Sequence, residues 1–68
     1  DAGITTAVKA KMAEDKSVAA TSISVETLNG TVQLSGFAKS QNEKNTAGEI
    51  ARTTKNVRDV RNNIVVRP

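Results

Sequence analysis

Ile4, Val8 and Met12 recur at intervals of four, with Ala7 beside them, and draw one apolar stripe along the first part of the chain. That period belongs to an amphipathic helix, predicted over residues 2–14. Asp1 stands ahead of it as an N-cap, and Glu14-Asp15-Lys16-Ser17 ends the pattern. Val18 then reads as a plug that tucks the following loop onto the core.

The period changes to two at Ile23. Ile23, Val25 and Thr27 alternate with Ser24, Glu26 and Leu28, and Val32 and Leu34 alternate with Thr31, Gln33 and Ser35. Asn29-Gly30 separates the runs, and a type I′ turn needs positive φ at both of its central residues, which this pair tolerates. The turn sets Leu28 opposite Thr31, Thr27 opposite Val32, Val25 opposite Leu34 and Ile23 opposite Gly36. That register collects the branched apolar residues on one face and leaves Ser24, Glu26, Gln33 and Ser35 on the other, so turn chemistry and pattern agree.

Ser40-Gln41-Asn42-Glu43 is a capping box, from which a second helix is predicted over 41–55 with Ala47, Ile50, Ala51 and Thr54 inward. Asn56 follows as a left-handed cap. In the final run, 57–66, Val60, Asn62, Ile64 and Val66 share one face while Arg61, Asn63, Val65 and Arg67 share the other. A strand–helix–strand step makes a right-handed crossover, so this third strand should lie parallel to the second. The expected fold is an α+β, αββαβ two-layer sandwich, with a three-stranded mixed sheet and two helices on one face. No linker or repeat interrupts the chain, and we read 1–68 as a single domain.

Composition narrows the function. With no His and no Cys among the 68 residues, neither a Ser-His-Asp or Cys-His site nor a His/Cys zinc site can form. We expect no enzyme, no cofactor and no metal site. Phe37 is the single aromatic residue, too little for a base-stacking platform, and no two glycines fall three apart as a G-x-x-G phosphate clamp requires. A nucleic-acid partner is therefore not expected.

The residues just described resemble the BON domain, a family of bacterial osmotically inducible and nodulation proteins. The resemblance runs along the whole chain. It is carried by the Ile4/Val8/Met12 helix, Ile23-x-Val25, Asn29-Gly30-Thr31-Val32-Gln33-Leu34-Ser35-Gly36, Ile50-Ala51, and Val57…Val60…Ile64-x-Val66. Asn29, Gly30 and Gly36 are its structural turn positions. Asn56 stands where the family has Gly, and Lys11 where a small or apolar residue is usual. The resemblance implies a cell-envelope module, periplasmic or outer-membrane-associated in a Gram-negative-type bacterium, linked to osmotic stress and associating with phospholipid surfaces.

Charge changes the picture further. The net charge is +3, and residues 52–67 hold five cations against Asp59 alone. Lys44, Arg52 and Lys55 fall in one quadrant of the second helix, with Arg58 and Arg61 following. These five are the candidate contacts for an anionic phospholipid surface. The alternative is a protein–protein or oligomerisation module in a larger envelope protein, for which Leu28, Phe37, Val65 and Arg67 are the candidate interaction face.

Overall fold

A computed structural model describes residues 2–16, 18 and 22–67. Its elements are α1 (Ala2–Glu14), β1 (Ile23–Leu28), β2 (Thr31–Ala38), α2 (Gln41–Arg52) and β3 (Asp59–Val66). The sheet runs β1-β2-β3, with β1 antiparallel and β3 parallel to the central β2. This is the expected α+β arrangement. Asp1, read as the cap of α1, and Ser17, in the run that closes it, lie outside the described residues.

The hairpin has the register that its turn dictates, from Leu28↔Thr31 to Ile23↔Gly36. Asn29 and Gly30 both have positive φ, 52° and 82°. Alternation then sends Val25, Val32 and Leu34 to the inner face, where Val8 and Met12 of α1 and Ala47 and Ala51 of α2 meet them with Ile64 of β3. Val18 is buried in the same cluster. Removing such side chains from water is the main favourable term in a domain this small, about 1.5–3 kcal/mol for each large one.

The Ser40 half of the box at α2 forms as expected, while the Glu43 side chain reaches one residue further back than the cap. The Glu43 amide donates to Ser40 Oγ at 3.1 Å, and Glu43 Oε1 accepts from the Lys39 amide at 3.1 Å. Ser40→Ala should therefore lower stability by about 1 kcal/mol, readable as a lower urea midpoint at unchanged slope; an unchanged midpoint would mean that the cap contributes nothing.

The far end of α2 corrects the sequence reading. The helix stops at Arg52 and not at Lys55, with Thr53 as its C-cap. The Thr53 and Thr54 hydroxyls donate back to the Glu49 and Ile50 carbonyls at 2.9 and 2.8 Å. Such local bonds compete with continued helix. Asn56 does adopt the left-handed conformation, φ 74°, but in the turn beyond the cap. The third strand correspondingly begins at Asp59, two residues later than expected.

Two contacts set the distance of β3 from its neighbours. Gly48 of α2 sits against Asn62, whose Nδ2 would lie 2.8 Å from an added Cβ. The same Nδ2 donates to the Lys44 carbonyl at 2.8 Å. At the strand's other end the Gly30 carbonyl accepts the Arg58 amide at 2.8 Å and the Asp59 amide at 3.4 Å, so the hairpin tip is tied to the start of β3.

The outer edge of β3 is partly closed by its own side chains. The Asp59 and Arg67 amides at its two ends donate to the carbonyls of Gly30 and Ala38, and by alternation the even-numbered amides of β3 point away from β2. Of these, Val60 donates to Asp59 Oδ1 at 2.9 Å and Ile64 to Asn62 Oδ1 at 3.3 Å.

Candidate functional site

Three separate pieces of chain converge at one end of the domain: the first turns of α1, the Asn29-Gly30 turn and the α2–β3 connection. Each is there for a local reason. Thr5 Oγ1 donates to Thr27 Oγ1 at 2.8 Å, which fixes the rotation of α1 on β1 and leaves Ile4, Ala7 and Lys11 on the flank toward α2. The type I′ turn projects Asn29 past the end of the sheet. The left-handed Asn56 reverses the chain, and the bond from Arg58 to the Gly30 carbonyl holds the connection against the turn.

Between them lies an open cleft of about 980 Å³. Gly3, Ile4 and Ala7 of α1 line one side, Asn29 and Gly30 a second, and Thr54, Lys55, Asn56 and Arg58 a third. Lys11 completes it, its Nζ lying 3.5 Å from the Thr53 carbonyl at the C-terminus of α2. A cation suits that helix end, where the unpaired carbonyls concentrate partial negative charge. Lys11, Lys55 and Arg58 are all exposed, and among the described residues no carboxylate lines the cleft. Three positive groups thus surround an uncharged floor, an arrangement suited to an anion.

The five basic candidates are divided by the fold. Lys55 and Arg58 share the cleft. Arg52 borders a small groove between α2 and β3, with its guanidinium 3.8 Å from the Glu49 carboxylate in an exposed pair. Lys44 is half-buried one turn before Gly48, where its carbonyl holds Asn62. Arg61 projects from the opposite, outer face of the sheet. Lys11 joins the cleft from an element on which no basic candidate was sought; the one signal for it was a charge in a position flanking the apolar stripe.

Among the described residues no helix covers the outer face of the sheet. The two registers arrange its side chains in rows across β1, β2 and β3: Leu28–Thr31–Asp59, Glu26–Gln33–Arg61, Ser24–Ser35–Asn63, and then Phe37–Val65. Leu28, Phe37 and Val65 are 74%, 47% and 51% exposed. The Arg67 guanidinium lies over the Phe37 ring, 4.4 Å from its centroid. The four interaction-face candidates therefore occupy one surface, with Leu28 at one end and the other three clustered at the opposite end.

Among the described residues no group of three or more Asp or Glu side chains is placed to hold a metal, and no helix is long and apolar enough to cross a membrane.

Comparison with known proteins bears on this geometry. The sequence profile of the BON domain matches residues 1–68. The chain is 38% identical over 64 residues to Osmotically-inducible protein Y of Escherichia coli (strain K12). That alignment covers 94% of this chain and 32% of the relative, so the chain spans about a third of the relative's length.

Proposed function

The chain belongs to the BON domain family, and on that premise we propose that it is a non-enzymatic binding module of the bacterial cell envelope that docks on anionic phospholipid surfaces. The observation that carries this reading is the cleft: Lys11, Lys55 and Arg58 stand around the apolar residues Ile4 and Ala7, with no carboxylate among the described residues that line it. Phosphate groups in the headgroup plane would be neutralised by the three cations while the first turns of α1 rest against the glycerol region. Contact is superficial, because no large apolar wedge stands beside the charges to enter the acyl region. The relative's name ties it to osmotic induction; osmotic stress and a periplasmic or outer-membrane-facing location are the setting we propose for this domain.

Each Lys or Arg held near an anionic leaflet contributes about 1 kcal/mol. Lys11→Gln/Lys55→Gln/Arg58→Gln should therefore weaken binding to phosphatidylglycerol vesicles by up to about a hundredfold, less the screening at a Debye length near 8 Å. Lys44→Gln/Arg52→Gln should do much less, since Arg52 already pairs with Glu49. Cosedimentation with vesicles, at constant far-UV circular dichroism, checks this. Equal binding to zwitterionic vesicles, or a larger loss in the Lys44/Arg52 variant, would overturn it.

A further inference from the structure

We infer that two copies of this chain associate face to face through the uncovered side of the sheet, about a two-fold axis that runs along β2. Such an axis keeps each cross-strand row over its own equivalent and exchanges β1 with β3. In the second row, Glu26 of β1 then lies over Arg61 of the second copy, and Arg61 over Glu26, with Gln33 over Gln33 between them. At the far end Phe37 meets Phe37, each ring backed by its own Arg67, and Ser35 lies over Ser35. One exposed acid and one exposed base, at equal distance from the central strand in the same row, make the surface complementary to itself. Closed two-fold pairing requires that property.

The alternative two-fold, perpendicular to the strands, inverts the rows and lays Glu26 over Ser24 and Arg61 over Asn63, which strips water from both charges and pairs neither. Asp59 faces an apolar residue in either arrangement, Leu28 in the first and Val65 in the second. Extension of the sheet through β3 is also disfavoured, because the Val60 and Ile64 amides on that edge are occupied by Asp59 and Asn62. Aligned packing of two sheets is the ordinary geometry of a sandwich. From strand spacing and rise, the three-stranded face offers on the order of 300 Å² per copy, against the roughly 800 Å² of a stable interface. The dimer is accordingly weak and forms where local concentration is high.

Sedimentation equilibrium up to millimolar chain concentration tests this with Glu26→Arg and Arg61→Glu. Both side chains are exposed, so each variant should stay folded, as circular dichroism will verify. By symmetry each reversal sets two like-charge pairs face to face, and dimerisation should fall at least about tenfold in either variant alone. An equimolar mixture of the two restores both pairs with opposite sign and should recover the wild-type association. The chain has no Cys, so Ser35→Cys should also link to itself through a short bismaleimide. A wild-type chain that stays monomeric at millimolar concentration overturns the inference. So does a dimer that ignores both reversals, or variants that fail to recover when mixed.

Discussion

Gly36→Ala is expected to abolish the cooperative urea transition of the domain, or to bring its midpoint close to zero. Gly36 has φ 120°, a conformation that costs a residue with a Cβ about 1–3 kcal/mol. The added carbon would also land on the Ser22 carbonyl oxygen, with the Ser22 carbonyl carbon at 3.1 Å and Ile23 Cα at 3.2 Å. All three are backbone atoms and have no rotamer by which to withdraw. Relief requires that β1 move away from β2 at the Ile23 pair, which uncovers the core beneath. Together these terms reach the roughly 5 kcal/mol that is the low end of total domain stability. Gly30→Ala provides the contrast. Its φ of 82° is also strained, but its Cβ would meet Cγ and Cδ of Arg58 at 2.8 Å, atoms of an exposed side chain that can swing aside. That variant should lose about 1–3 kcal/mol and remain folded. A Gly36→Ala protein with a wild-type midpoint would show the hairpin register to be wrong.

Leu34→Ala should cost about 2–5 kcal/mol, the range for removing a fully enclosed Leu side chain. Leu34 is 0% exposed at the middle of the central strand, with Val25 beside it on β1 and Asn62 beside it on β3. The hole cannot readily close. Over the sheet α2 presents Ala47 and Ala51, which have no longer side chain to extend, and Asn62 is committed to the Lys44 carbonyl. The melting temperature should drop by at least about 8 °C, given roughly 4–8 °C per kcal/mol at this chain length. Leu28→Ala is the matched comparison. With 74% of Leu28 in solvent, the same chemical change should stay within about 0.5 kcal/mol. Equal losses at the two positions would contradict the assignment of inner and outer faces.

How far each feature could be read from sequence depended on whether its cause was local. The hairpin register was fully legible because Asn29-Gly30 fixes the turn and the alternation independently demands the same pairing. The start of α2 was legible through Ser40 and Glu43, whose bonds lie within four residues. Its end was not. Thr53 and Thr54 terminate the helix by bonding back to carbonyls one turn earlier, and residues of this type are also compatible with helix interior. That three-residue difference mattered for the basic surface, because it removed Lys55 from the wheel that joined it to Lys44 and Arg52. Convergence of Lys11, Lys55 and Arg58 was invisible for another reason. It depends on α1 lying beside the hairpin tip, and helical periodicity gives the buried face of α1 without naming the element its ends will meet. Gly48 gave no sign in sequence of its part as the point where α2 approaches Asn62.

Every pair in the parallel ladder between β2 and β3, from Thr31↔Asp59 to Ala38↔Val66, joins residues 28 positions apart. The hairpin, by contrast, closes over a two-residue turn and belongs to a class of structure that forms in about 1–10 μs. A chain emerging from its N-terminus can therefore assemble β1 and β2 early, yet must wait for β3 before the central strand gains a second neighbour. Until then one side of β2 is a row of unpaired amides and carbonyls next to an exposed Leu34, the kind of edge at which chains join one another. The domain thus stays unlocked until β3 has been made. A lock placed in the last strand of the fold keeps the earlier elements pliant until it arrives, and it makes truncations before Asp59 the ones most prone to aggregate.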